Sequence, residues 1–218
     1  HGISPLHAGI EMSEHLKAKG YHCPVAIHYD DLPENVTVKE LFGTMRKDDV
    51  IAHVFQTKAE TIFDENGKIK DCVWDAKKRG VYMDDCHGRV HWSYPNLQNA
   101  FSQSFYPDII SSDLVRVSEY TRPGFSLLYA MSVNSAAGMP TEKILQSVTY
   151  TPAKSLGIEE KAGVIREGAP ADVAILDIRD VKDKTFTDNY GNSISGNKLF
   201  VPLMTVKGGR TAYRQIFF

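Results

Sequence analysis

Four residues of this sequence that could bind a metal ion share one kind of position, at or just beyond the end of a short apolar segment: His28, His53, His87 and Asp113. Neutral imidazoles and a carboxylate form the ligand set of zinc and of similar divalent ions. An ion held in this way lowers the pKa of a bound water and polarises a carbonyl group. A nearby carboxylate can then take the proton of the attacking water and pass it to a leaving nitrogen. The pattern therefore predicts a hydrolytic metal site.

Each of these residues, taken alone, has a simpler interpretation. A single histidine at a strand end is usually a hydrogen-bonded polar residue, and a single Asp113 would be a helix cap or a turn residue. The recurrence of four such residues favours the metal site. Cys86 is interpreted as a small buried residue rather than a thiolate ligand. The other histidines are predicted to lie on helices or loops and to face solvent: His1, His7, His15, His22 and His91.

Alternating strands and helices are the elements that would bring the four residues together. Four apolar segments are typical of parallel strands buried on both faces: 24–28, 49–53, 80–85 and 107–113. Their polar ends recur at intervals of roughly 25 to 35 residues, the length of a βα unit. In parallel α/β barrels the active site forms where the carboxyl ends of the strands meet.

The pattern changes in the last quarter of the chain. Two helices, predicted over residues 126–137 and 141–148, close the α/β series. Short strands separated by glycine-containing turns follow, at 163–165, 172–176, 203–206 and 211–213. We therefore predict an α/β domain over residues 1–157 and a small β-domain over residues 158–218.

Composition limits the partners of this chain. Its 218 residues carry a formal net charge of -2, which leaves no electrostatic footprint for nucleic acid or an anionic membrane. No apolar stretch approaches the roughly 18 residues needed to span a bilayer. The three cysteines are an odd number without a CxxC spacing, which argues against a disulfide framework and for a reducing compartment. We expect a cytoplasmic protein that binds neither nucleic acid nor membranes.

Several segments resemble the amidohydrolase superfamily, and more narrowly its deacetylase branch, whose members are often labelled dihydroorotase-like. The resemblance begins with the strand segments 27–28, 51–56, 80–88 and 107–114. Residues 148–157 match the signature T-x-x-P-A-x-x-L-G, and residues 163–173 match G-x-(L/I)-x-x-G-x-x-A-D-(L/V). The resemblance covers nearly the whole chain, and the last two motifs are specific to the superfamily.

This resemblance implies a fold and a site. The fold would be the C-terminal half of a TIM-type (β/α)8 barrel, strands five to eight, with a small β-sandwich-like composite domain. His28 and His53 would bind the more exposed of two divalent ions, with zinc preferred, and Asp113 would be a ligand and the general acid and base. His87 would contact substrate or the developing oxyanion. The implied reaction is cleavage of an acyl amide or ester in a small acylated substrate by a metal-bound hydroxide.

Some parts of the family pattern have no counterpart in this sequence. The strand-one H-x-H and the bridging, usually carboxylated lysine of strand four are absent. Because half a barrel would expose sheet edges, we expect an N-terminal half of the same protein to complete the site. Thr57 and Cys86 replace glycines of the branch, Val115 replaces a histidine or tyrosine, and Arg89 enters a loop of small residues. These departures leave the substrate open.

Two alternatives to the deacetylase-type enzyme remain. A cyclic-amide hydrolase of the dihydroorotase or hydantoinase type would carry much of its substrate recognition outside this chain. A non-catalytic relative would usually have lost metal ligands, whereas all three expected in this stretch are retained. Members of the superfamily often associate, so a homo-oligomer is a further expectation.

Overall fold

The computed structural model describes residues 2–58, 60–88, 90–119 and 126–216 of a mixed α/β protein. Its helices are α1 Ser4–Lys17, α2 Val38–Thr44, α3 Asp71–Arg79, α4 Tyr94–Ser102, α5 Leu127–Ala136, α6 Thr141–Val148 and α7 Tyr150–Ser155. Its strands are β1 Ala26–His28, β2 Val50–Ala52, β3 Tyr82–Met83, β4 Val173–Thr187, β5 Ser193–Lys207 and β6 Arg210–Arg214.

The first three strands form a parallel sheet in the order β1-β2-β3. Ile51 lies in the central strand, where it pairs with Ile27 on one side and with Met83 on the other. Ile51 and Met83 are fully buried, as expected for a parallel sheet covered on both faces. The first three of the four predicted strands are therefore present, each shorter than its predicted segment, and their carboxyl ends point the same way.

The fourth predicted strand, residues 107–113, is not a regular strand in the structure. Only one parallel bridge, between Asp84 and Ile109, joins it to the sheet. The cause is Asp108, whose carboxylate accepts the hydrogen bond of Met83 N at 2.9 Å in place of a backbone carbonyl. The segment still runs beside the end of β3, because its carbonyls at Ile109 and Ser111 accept bonds from Asp85 N and His87 N.

Helix ends follow local chemistry. Thr37 caps α2 by accepting from Glu40 N, and Ser126 caps α5 by accepting from Tyr129 N. Helix α3 ends at Gly80 in the left-handed conformation, with φ 92°, after three basic residues that complement the helix dipole. These signals mark where α2 and α5 begin and where α3 ends before β3.

The last three strands form an antiparallel sheet in the order β4-β5-β6. Phe186, Ile194 and Phe200 on this sheet belong to the same buried cluster as Ala130 and Val133 of α5. The predicted strand at 163–165 is wrong: none of these residues lies in a strand, and β4 begins at Val173. A strand there lacks a pairing partner in the described chain, and the Ile165 side chain is 90% exposed.

Cys23, Cys72 and Cys86 are free thiols, as the sequence predicts. Within the part of the chain that the structure describes, no helix has both the length and the apolar character to cross a bilayer.

Candidate metal centre

Three histidine rings meet at the carboxyl end of the parallel sheet. His28 is the last residue of β1, and His53 directly follows β2. Their ring centroids lie 4.4 Å apart. His91, from the loop between β3 and α4, completes the set at 4.9 Å from His28 and 4.7 Å from His53. The prediction that His91 faces solvent is wrong, because its side chain is only 14% exposed.

The side chains at this edge form two groups that could each hold a metal ion. One group is His53, Cys86 and Asp113, and the other is His28, Asp30 and His91. Within each group the possible ligand atoms lie within 4.8 Å of one another. The three predicted ligands therefore lie at one edge of the sheet, but His28 is grouped with two residues that the sequence analysis did not select.

His53 is oriented by a hydrogen bond on the far side of its ring. Its Nδ1 lies 2.8 Å from the carbonyl oxygen of Cys86 and, as the donor, leaves Nε2 with a free lone pair. Burial lowers the pKa of His53 to about 4, with smaller contributions from His28 and His91. The ring is therefore neutral at pH 7 and has the form in which imidazole binds metals.

Left-handed backbone is concentrated in the same group. His53 has φ 65°, Cys86 has φ 39° and Asp113 has φ 45°. Residues with a Cβ rarely adopt such angles, and they keep them only where the surrounding structure enforces them. The backbone is thus strained at the three residues whose side chains converge.

Asp113 is positioned by the segment that follows β3. His87 N donates to Ser111 O at 2.9 Å and Gly88 N donates to Ser112 O at 3.2 Å, so the two segments run side by side. A Cβ at Gly88 would lie 2.6 Å from Asp113 Oδ2, so only glycine allows this approach. Burial raises the pKa of the Asp113 carboxyl, although nearby His91 and His28 favour its ionised form.

Cys86 is buried, in agreement with the interpretation of it as a small buried residue. Burial, and secondly the Asp84 carboxylate, raise the pKa of its thiol. The thiol is therefore protonated at neutral pH, and imidazole and carboxylate are the stronger donors of its group.

Two buried acids behind the group were missed by the sequence analysis, although they stand together at the end of a predicted strand. Asp84 accepts from Ser111 Oγ at 2.8 Å and from Cys86 N at 2.9 Å. Asp85 accepts from Asn134 Nδ2 at 2.6 Å and from Ser111 N at 3.2 Å. The pair ties the end of β3 to the segment that carries Asp113.

His87, predicted to contact substrate, belongs to neither ligand group. Its side chain is 1% exposed and packs against Trp92 and Tyr129, with ring centroids 3.3 Å and 5.6 Å away. Burial lowers its pKa well below the ordinary value, so the ring is neutral. The substrate role of His87 stays a prediction.

The donors at this edge fit a divalent ion. Neutral imidazole nitrogens and carboxylate oxygens are the ligands that zinc and related ions take in proteins, and His53 has the second-sphere hydrogen bond typical of a metal-binding histidine.

The family of this chain follows from its sequence. The model of the amidohydrolase family matches residues 11–212. The chain belongs to the amidohydrolase family.

The relatives that this amidohydrolase matches are longer than the chain itself. An Enterococcus faecalis protein named deacetylase is 28% identical over 210 residues, which are 96% of this chain and 55% of the relative. The crystal structure of an adenine deaminase is 27% identical with a TM-score of 0.87, over 98% of this chain and 56% of that one. The crystal structure of a dihydroorotase, 24% identical with a TM-score of 0.81, covers 98% and 53% and shows the shared fold. This amidohydrolase chain spans about half the length of these relatives.

Proposed function

We propose that this chain carries the C-terminal half of a metal-dependent hydrolase that cleaves an acyl amide or ester of the deacetylase type. The observation that best supports this proposal is that imidazole and carboxylate groups converge at the carboxyl end of a parallel sheet. They form two groups, and in each group the possible ligand atoms lie within 4.8 Å of one another. The likeness to a deacetylase over 96% of the chain supports the reaction type. The fold would be strands five to eight of a TIM-type barrel over residues 1–157, with a composite β-domain over residues 158–218.

His28, His53 and Asp113 are the proposed metal ligands. Two divalent ions, with zinc favoured by the nitrogen-rich donor set, would polarise the scissile carbonyl and lower the pKa of the attacking water. The Cys86 carbonyl holds His53 in one tautomer and orientation, so that no reorganisation is needed when its Nε2 binds. The N-terminal half of the same protein is proposed to supply the remaining ligands, including a carboxylated lysine.

Asp113 is the proposed general acid and base. Its carboxylate would accept a proton from the attacking water and return it to the leaving nitrogen or oxygen. His87 is proposed to contact the acyl substrate or its developing oxyanion.

The test is a substrate screen of the full-length protein loaded with zinc, using N-acetyl amino acids, dihydroorotate and adenine. Turnover of the N-acetyl amino acids is expected. The 27% sequence identity to an adenine deaminase favours deamination as the second candidate reaction. Turnover of adenine alone would replace the deacetylase assignment. Turnover of dihydroorotate alone would assign a cyclic-amide hydrolase.

The role of Asp113 is tested by Asp113→Asn. We expect kcat/KM to fall by at least about 100-fold, because general acid–base catalysis contributes about 100- to 10,000-fold. The circular dichroism spectrum and Tm should stay close to wild type, since Asp113 is partly exposed. Asp75→Asn, at a side chain that is 62% exposed, is the matched control and should keep full activity. Unchanged hydrolysis in Asp113→Asn would remove the role assigned to this residue.

A further inference from the structure

Asp30 and His91 lie beside His28 in an arrangement that the three proposed ligands do not explain. His91 Nδ1 lies 3.2 Å from Asp30 Oδ1, and His28 Nε2 lies 3.9 Å from Asp30 Oδ2. Asp30 follows β1 by two residues, and His91 lies on the loop between β3 and α4. Two loops that are far apart in sequence therefore place an imidazole and a carboxylate against the proposed ligand His28.

The facing atoms of Asp30 and His91 are buried without a hydrogen-bond partner in the described chain. This holds for both Asp30 Oδ1 and His91 Nδ1, which face each other at 3.2 Å. A buried polar atom without a partner destabilises a fold. Two such atoms side by side indicate a site at which one bound group contacts both of them.

Their separation suits two ligands of one ion. Zinc binds nitrogen and oxygen at about 2.0–2.1 Å in a tetrahedron, which places neighbouring ligand atoms roughly 3.3 Å apart. The 3.2 Å between His91 Nδ1 and Asp30 Oδ1 agrees with this spacing. One ligand atom from each of His28, Asp30 and His91 lies within 4.8 Å of the others.

Lys58 orients the carboxylate for this contact. Its Nζ lies 3.1 Å from Asp30 Oδ2, the oxygen that does not face His91. Oδ1 is thereby left for a second positive group. The His28 side chain is 59% exposed, which leaves an open side at which an ion could keep water or bind substrate.

We propose that His28, Asp30 and His91 bind one divalent cation together, so that Asp30 and His91 are metal ligands in addition to His28, His53 and Asp113. The inference rests on the proposed function, because it adds two ligands to one of the proposed ions. The ion would also join the loop that carries His91 to the end of β1.

The test is a Co²⁺ titration of the full-length protein after chelation, followed by visible absorption and by Kd. His91→Ala and the isosteric Asp30→Asn are each expected to weaken one equivalent by at least about tenfold, the loss seen even when groups behind a ligand are changed. Both should alter the Co²⁺ absorption bands. His7→Ala, at an exposed histidine of α1, is the matched control and should titrate like wild type. Circular dichroism of the metal-free proteins checks that each variant is folded.

The outcomes separate this inference from the proposed function. Wild-type Kd and spectrum in both Asp30→Asn and His91→Ala would overturn the inference. If His53→Ala weakened Co²⁺ binding in the same series, the proposed metal site would stand without these two ligands. Absence of Co²⁺ binding by the wild-type protein would overturn both. Weakening in Asp30→Asn and His91→Ala, but not in His7→Ala, supports the inference.

Discussion

At the scale of single residues, Gly88 is the position where absence of a side chain matters most to the site. It has φ +52°, and a Cβ there would lie 2.6 Å from Asp113 Oδ2. Gly88→Ala should therefore displace the Asp113 carboxylate and strain the backbone. We expect Co²⁺ affinity to fall by about tenfold or more, and the free energy of unfolding to fall by about 1–3 kcal/mol. Metal titration and urea denaturation of the metal-free protein measure the two effects.

Gly67→Ala is the control that separates strain from displacement. Gly67 also has a left-handed backbone, with φ +74°, but the nearest atom to its Cβ would be Asn99 Nδ2 at 3.6 Å. This variant should lose a similar amount of stability and keep the wild-type metal affinity. Equal metal affinities for Gly88→Ala and Gly67→Ala would contradict the idea that Gly88 positions Asp113.

Some site residues could be predicted from sequence because their positions depend on local pattern. His28 and His53 end apolar segments, and parallel strands necessarily bring such ends to one edge. Asp30 and His91 could not be found in this way. They lie in loops, and only the three-dimensional path of those loops places their atoms 3.2 Å apart.

At the scale of elements, the strands were easier to predict than their pairing. The apolar segments that contain β1, β2 and β3 are long enough to be recognised as strands in the sequence. The irregular pairing of residues 107–113, in contrast, depends on one side chain. Asp108 takes the hydrogen bond of Met83 N, and no hydropathy pattern carries that information. The false strand at 163–165 has the opposite cause. Its sequence is strand-like, but a strand forms only where a partner pairs with it.

The end of β3 provides a prediction about pH. Burial raises the pKa of Asp84 from 3.8 to about 6, against its hydrogen bonds from Ser111 and Cys86. The folded state thus binds a proton between pH 4 and 6 that the unfolded state has released. This contribution to stability is present below pH 4 and lost as the pH rises through 6. The difference in unfolding free energy between Asp84→Asn and wild type should therefore change with pH. It should be about 1–3 kcal/mol more favourable to the variant at pH 7 than at pH 4.5.

Urea denaturation of the metal-free proteins at the two pH values measures this difference. Asp75→Asn, at an exposed carboxylate, is the control and should show almost the same offset from wild type at both. An offset of Asp84→Asn that does not change with pH would mean that Asp84 is ionised throughout, and that its bonds from Ser111 Oγ and Cys86 N outweigh burial.

At the scale of the whole molecule, one buried cluster contains side chains from both sheets. Phe186, Ile194 and Phe200 of the antiparallel sheet share it with residues of the parallel part such as Ile51 and Met83. The division at residue 157 was predicted from the change in sequence pattern, which reports local structure and says nothing about a shared core. The division remains a prediction, and a shared core implies that the two parts unfold together.

Gly196 tests this coupling, because it lies where β5 crosses α5. A Cβ at Gly196 would lie 2.6 Å from Ala136 Cβ and 3.3 Å from Ala136 Cα, and its φ is not in the left-handed region. Gly196→Ala should therefore act by contact alone and destabilise the protein by about 1–3 kcal/mol. Gly43→Ala, in helix α2 with no atom within 4 Å of the new Cβ, should stabilise it by up to about 1 kcal/mol.

Tryptophan fluorescence reads out the distant part of the molecule. The chain has two tryptophans, Trp74 on α3 and Trp92 in the loop before α4, and neither lies in the antiparallel sheet. If the core is cooperative, Gly196→Ala lowers the Tm seen by fluorescence and by circular dichroism equally, by about 2–4 °C per kcal/mol. A lower midpoint in circular dichroism with unchanged fluorescence would show instead that the antiparallel sheet unfolds on its own. The sheet edge that carries His28 and His53 would then not depend on the antiparallel sheet for stability.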